Sequence, residues 1–231
     1  MAGLILFGIS FGYVEAAVVV YLRTMYEPVR ARVNMQRAPG DLFPLMKRDE
    51  LRVTAPGTMR LVGTEVVREG ATLLMLAGVA LAAAREWRLW LPAFAVAFGT
   101  WDIFYYVFLR VLARWPASLL TWDVLFLIPV PWAAPVLAPV IVALSIVAMG
   151  LVSLRGAVRT RMLHRIALGV GGCLILVSFM WDSPNLLAGW MPHPFAWTIF
   201  GAGELLGVGA FVHAVRAAAP RSTTVAAGVL K

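Results

Sequence analysis

Apolar residues run through this chain in long blocks separated by short polar segments. The blocks at 3–22, 61–84, 89–112, 132–154 and 195–215 each approach or exceed the ~20 residues a helix needs to cross a bilayer core. In hydrocarbon the backbone must satisfy its own hydrogen bonds, so helices are the natural form of such blocks. Transmembrane β-strands would instead alternate in short segments, and these blocks do not alternate. A further apolar stretch, about 164–181, stops at a WDSPN turn. The pattern predicts an all-α fold: one polytopic transmembrane helix bundle over 1–231. A polar segment at 23–60, rich in arginine and proline and able to hold a short amphipathic helix, separates the first two spans.

The stretch 116–154 breaks this regularity. It carries Pro116, Pro129, Pro131, Pro135 and Pro139, and each proline removes a helix donor. LLTWDVLFLI is expected as a short helix, PVPWAAP as a turn and 136–154 as a full span. If 116–130 crosses, the chain has seven spans; if it re-enters, six plus a re-entrant helix. Cytoplasmic loops collect Lys and Arg, and seven spans would place 23–60, 110–114, 155–165 and 216–231 together on that side. Seven is therefore favoured, although fifteen helical residues cover only ~22 Å of a ~30 Å core.

Composition agrees: 61% of the 231 residues are apolar and 14% charged, against about 25% charged in soluble domains. The net charge of +8 does not indicate nucleic acid, because the basic residues sit between apolar blocks. Lys47 and Lys231 are the only lysines and neither lies in a span, which excludes a retinal-type Schiff base. The lone Cys173 builds neither an intrachain disulfide nor a thiolate metal site. The opening MAGLILFG lacks a basic leader, so the first segment is expected to be retained. The expected location is the cell inner (plasma) membrane, as a multi-pass protein among membrane lipids.

Charge inside a membrane is costly and marks function by default. Glu15, Glu65, Glu69, Asp102, Asp123, Asp182 and Glu204 lie in or at the ends of apolar blocks. The first five fall toward the leaflet that faces 23–60 whether the spans number six or seven, and Glu204 lies near mid-depth. Glu65, Arg68 and Glu69 share one helix face, as do Asp102, Tyr106 and Arg110, with Tyr105 beside them. Five acids against Arg68 and Arg110 leave surplus carboxylates, which would be protonated, metal-bound or waiting for a cationic group. The competing explanation is ion pairing that only fixes helix packing. Trp101-Asp102, Trp122-Asp123 and Trp181-Asp182 each set an indole beside a carboxylate; for Asp182, next to a turn, an interfacial tryptophan suffices.

Absent motifs prune the chemistry. There is no Walker loop, G-x-G-x-x-G, H-E-x-x-H or Glu-x-x-His pair. His164 falls in the basic 155–165 loop, His193 in a proline turn and His213 near the end of the last span, so a bis-His haem is not expected. A divalent cation remains an option, since Glu65 and Glu69 with Asp102 or Asp123 are oxygen ligands.

The stretches GYVEAAVVVYLR, EVVREGATLLMLAGVA and SLLTWDVLFLIPVPWAAPVLAPV resemble a recurring type of uncharacterised bacterial inner-membrane protein over most of the chain. That resemblance implies a location and no residue roles. A looser analogy, in length, span number and buried acids, is to small integral-membrane terpene cyclases; no motif carries over. Two functions stay open. One is a membrane enzyme acting on a lipophilic small molecule by acid–base chemistry. Glu65, Glu69, Asp102 and Asp123 would be catalytic, and Glu15, Arg68, Trp101, Tyr105, Tyr106, Arg110, Trp122 and Glu204 would bind substrate. The other is a small transporter or an accessory subunit of a larger membrane complex, with Glu15 and Glu204 carrying protons or a cation.

Overall fold

The computed structural model describes residues 1–33, 42, 43, 45, 58–156, 158 and 160–218. Among them, six helical stretches are long and apolar enough to cross a membrane: Ala2–Pro28, Arg60–Ala83, Trp87–Ala113, Leu137–Leu154, Met162–Leu187 and Trp197–Ala218. The chain is a multi-pass α-helical membrane protein. In chain order its helices are α1 (Ala2–Val33), α2 (Thr58–Ala83), α3 (Trp90–Ala113), α4 (Leu137–Leu154), α5 (Met162–Met180), the short α6 (Ser183–Leu187) and α7 (Trp197–Ala218). A 3-10 turn, Trp87–Leu89, leads into α3.

Between α3 and α4 the structure departs from expectation. Instead of a short helix, residues 116–136 hold an antiparallel hairpin of β1 (Trp122–Phe126) and β2 (Trp132–Pro135). A five-residue strand rises only ~17 Å, too little to cross a ~30 Å core, so this hairpin is not the seventh span. The cause is local. Arg114 ends α3 in the left-handed conformation, and the Arg110 guanidinium donates to the Arg114 and Pro116 carbonyls. Pro129, Pro131 and Pro135 then remove the donors a helix would need, while Trp122, Val124 and Phe126 suit a strand. Non-helical backbone is tolerated at membrane depth only where protein covers it. Asp123, Ala133, Ala134 and Val136 are accordingly buried, and the Ser183 hydroxyl donates to the Pro131 carbonyl at 2.6 Å.

The first helix also runs beyond its expected end near 22, to Val33. The short amphipathic helix expected in 23–60 falls for the most part outside the described residues. The hairpin meets the late part of α1, the first half of α2, the second half of α3 and the 183–195 region, as the contacts of Arg23, Glu69, Tyr106, Ser183 and Phe195 show. We call this the hairpin end. Arg88, Arg161 and the first turn of α5 lie at the far end.

Helix α3 is the hub, packed against α1, α2 and α4, while α5 and α7 form a separate pair. Glycines permit the closest approaches. A Cβ on Gly12 would stand 2.9 Å from the Trp101 carbonyl oxygen, and one on Gly203 would stand 2.7 Å from that of Gly171. The first contact seats α1 on α3; the second seats α7 on α5.

Candidate functional site

A cavity of about 1780 Å³ lies between the α1–α4 group and the α5/α7 pair. Its wall follows α3 from Trp87 and Arg88 at the far end to Tyr105 and Tyr106 at the hairpin end. Trp87 and Tyr105 are eighteen positions apart, so the cavity runs ~27 Å along the helix axis. Trp87, Trp90, Phe94, Phe98, Trp101 and Tyr105 recur at helical spacing along it, each ring within 6.3 Å of the next between centroids. The far-end mouth is basic, with Arg88 and Arg165.

The acids gather at the hairpin end, and most have partners. The Arg68 guanidinium bridges Glu15 of α1 and Glu65 on its own helix, with Nε donating to Glu65 at 2.9 Å. Glu69 accepts the Leu127 backbone N–H at 2.8 Å. That amide lies just past β1, where the hairpin ladder no longer uses it. Asp123, 2% exposed, accepts from the Tyr106 hydroxyl at 3.1 Å and from the Val124 N–H at 2.9 Å, and pairs with Arg23 at 3.8 Å. Arg23 also lies over the Trp115 ring, 3.8 Å from its centroid. Burial pushes the Asp123 carboxyl up to about 6, against the opposing pull of Arg23, Tyr106 and the Val124 amide.

Asp102 differs. It is partly buried, borders the cavity, and has no hydrogen-bond or ion-pair partner among the described residues. Two donors on other residues that line the cavity are also unmatched. The indole N–H groups of Trp101 and Trp132 are buried without a hydrogen-bond partner among the described residues. Both tryptophans border the cavity, and the Phe126 ring packs against each. A buried donor left unmade costs roughly 1–3 kcal/mol and calls for an explanation.

The expected site residues therefore divide. Glu15, Glu65, Arg68, Glu69, Trp101, Asp102, Tyr105, Tyr106 and Glu204 border the cavity. Asp123 stands behind Tyr106. Arg110 caps the end of α3, and Trp122 packs between Phe43 and Phe195; neither lines the cavity. Glu204 accepts from the Ser145 hydroxyl at 3.1 Å. No group of three or more His, Cys, Asp and Glu among the described residues is placed to hold a metal ion, so the oxygen-ligand set drawn from Glu65, Glu69, Asp102 and Asp123 does not assemble there.

Several participants carry little signal in the sequence. Arg23 lies beyond the apolar block of the first span, Trp132 falls in a stretch expected as a turn, and the Leu127 amide acts through backbone. His164 is not in a loop but in the first turn of α5. Its Nδ1 accepts the Arg161 N–H at 3.1 Å, which assigns the proton of the neutral ring to Nε2, 2.9 Å from His213 Nδ1. Spacing holds no signal for that pair, since its members lie 49 residues apart. Asp182 is bound by the His193 ring and backbone N–H and by Asn185, which accounts for it structurally. No family model, curated protein or solved structure matches this chain.

Proposed function

We propose that this protein is a multi-pass enzyme of the inner (plasma) membrane, related to the bacterial inner-membrane proteins it resembles, that acts on a lipophilic substrate by acid–base chemistry. One observation carries this reading. Of the five acids at the hairpin end, Asp102 alone has no polar partner among the described residues, and it borders a long apolar cavity. An unpaired carboxyl in an apolar wall is a proton donor or acceptor awaiting a substrate. Tyr105 and Tyr106 complete the wall beside it, and Asp123 holds the Tyr106 hydroxyl in place. Arg68, satisfied by Glu15 and Glu65, fixes α1 against α2 and frames the site.

The test is comparative. Membranes carrying the wild type, Asp102→Asn or Asp123→Asn are incubated with total lipid extract, and products are compared by mass spectrometry. The wild type should yield a product that Asp102→Asn reduces by roughly 10²–10⁴-fold, the usual contribution of one general acid or base. Asp123→Asn, acting through Tyr106, should lose less. Equal product from wild type and Asp102→Asn refutes the assignment.

Transport is the second reading, favoured by a cavity bordered by residues from both ends of the bundle. Lipid or proton flux in proteoliposomes without any chemical change in the lipid would select it.

A further inference from the structure

We propose that the far end of the cavity is a binding site for an anionic two-chain phospholipid, with its phosphate at the Arg88/Arg165 mouth and its acyl chains inside. This goes beyond the enzymatic reading: it assigns the end opposite Asp102 and depends on no reaction there. The mouth carries charge that the fold leaves largely unused. Arg88 is held through Nε by Glu86 at 2.6 Å, and Arg165 through Nε by Thr160 at 3.3 Å. Neither guanidinium has a further partner among the described residues, and both border the cavity. Around them Arg85, Arg155, Arg161 and Arg216 are exposed at the ends of the adjoining helices, and Glu86 is the only acid among the described residues there. Attraction of an anion to such a rim acts over distance and needs no single meeting point. A guanidinium also pairs with phosphate through two parallel hydrogen bonds, and basic pockets between transmembrane helices take anionic headgroups. Trp87, 76% exposed and stacked on Trp90, stands at the same rim, where an amphipathic ring sits at headgroup level.

The size and opening of the cavity set the hydrophobic part of the lipid. About 1780 Å³ over ~27 Å is a mean cross-section of about 66 Å², roughly three extended alkyl chains side by side. The volume also exceeds the ~300–1,000 Å³ of a small-molecule pocket. A single-chain amphiphile leaves most of that width empty, and two chains fill most of it. A neutral lipid of equal width makes no use of the arginines, and a choline headgroup sets its own cation against them. Acyl chains of one leaflet reach ~15 Å, half of the ~30 Å core. Arg88 and Asp102 are fourteen positions apart, ~21 Å along α3, so the chains stop short of Asp102. Entry is from the side. Leu91 of α3 and Leu176 of α5 line the cavity yet are 63% and 39% exposed, and α5 packs on α7 and β2. The side of the cavity between α3 and α5 therefore opens onto lipid.

The test measures binding and requires no turnover. Full-length protein in detergent is presented with dioleoylphosphatidylglycerol, dioleoylphosphatidylcholine, oleoyl-lysophosphatidylglycerol or inorganic phosphate, and retention is read by native mass spectrometry. The two-chain glycerol lipid should bind best, at least about tenfold more tightly than the choline lipid. Arg88→Gln and Arg165→Gln, both at exposed side chains, should each weaken it roughly fivefold and together about 25-fold, leaving the choline lipid unchanged. Arg216→Gln, exposed at the same end but bordering no part of the cavity, should cost no more than about twofold. Leu168→Trp, inside the cavity, should weaken the two-chain lipid more than the single-chain one. Equal binding of the glycerol and choline lipids overturns the proposal. So does a loss in Arg216→Gln that matches Arg165→Gln, which would leave only general attraction to a basic surface. Unchanged affinity in Leu168→Trp puts the lipid outside the cavity and overturns it too. Displacement of the lipid by millimolar inorganic phosphate would assign the mouth to a free anion instead.

Discussion

Replacing Arg68 by Met should damage the bundle more than any other single change at the hairpin end. Arg68 is 24% exposed and binds Glu15 at 10% and Glu65 at 17% side-chain exposure. Removing one partner of a buried pair leaves charge without compensation and costs ~3–5 kcal/mol. Partial exposure of Arg68 puts the expectation at the lower limit, about 3 kcal/mol. For a chain of this size 1 kcal/mol corresponds to ~2–4 °C in melting temperature, so Arg68→Met should melt roughly 10 °C lower. The second half of the reasoning is the rescue. Most of the damage comes from Glu15, the more buried of the two stranded carboxylates, so adding Glu15→Gln to Arg68→Met should recover more than half of it. The assay is thermal unfolding of detergent-solubilised protein followed by tryptophan emission, run as a double-mutant cycle. If the two substitutions add, with the double variant less stable than either single one, the bridge is not what joins α1 to α2. A loss below about 1 kcal/mol for Arg68→Met would likewise show that the guanidinium is held for some other reason, because that is the range of an exposed pair.

Gly12→Ala should cost ~1–3 kcal/mol by forcing its Cβ against α3 backbone, whereas Gly78→Ala, with open space around it, should be tolerated; thermal melts of both check this. The folded-state value of Asp123 lies above its ordinary 3.8, at about 6. Its stabilising contribution is therefore full below about pH 4 and is lost as pH rises through about 6, by on the order of 3 kcal/mol. Melting wild type and Asp123→Asn across that window should show a fall in the wild type steeper by this amount; parallel curves would exclude it. With six crossings, Thr24→Cys and Leu187→Cys, each in a Cys173→Ser background, should react with a membrane-impermeant maleimide from the same side. Labelling from opposite sides would restore a seventh span.

How much of this is legible in the sequence depends on the range of each interaction. The spans are, because a twenty-residue apolar block has one stable solution in lipid. The gathering of Glu15, Glu65, Glu69, Asp102 and Asp123 at one end is too, because depth follows from counting along helices. The spacing of Glu65 and Arg68 also announces their pairing. Tertiary partners are not. Arg110, in helical register with Asp102, turns to the carbonyls at the end of its own helix instead. Arg23 pairs with Asp123, a partner the sequence does not announce, because α1 outlasts its apolar block. The hairpin is hidden because a short apolar run with prolines at one end reads equally as a broken helix or as a strand.

That redistribution of partners narrows the chemistry. From sequence, five acids face two arginines, and the surplus could be any of them. Arg68 takes Glu15 and Glu65, Arg23 and Tyr106 take Asp123, and the Leu127 amide takes Glu69. Three of these acids join separate elements: Glu15 joins α1 to α2, Asp123 the hairpin to α1 and α3, and Glu69 the hairpin to α2, while Glu65 braces Arg68 on its own helix. They are explained by assembly alone, as the packing explanation requires. Asp102 joins nothing among the described residues. A helix bundle gains no stability from a carboxyl that is partly withdrawn from water and bonded to no neighbour. Its position in the wall of a long, mostly apolar cavity is therefore better explained by the molecule that enters than by the fold that surrounds it.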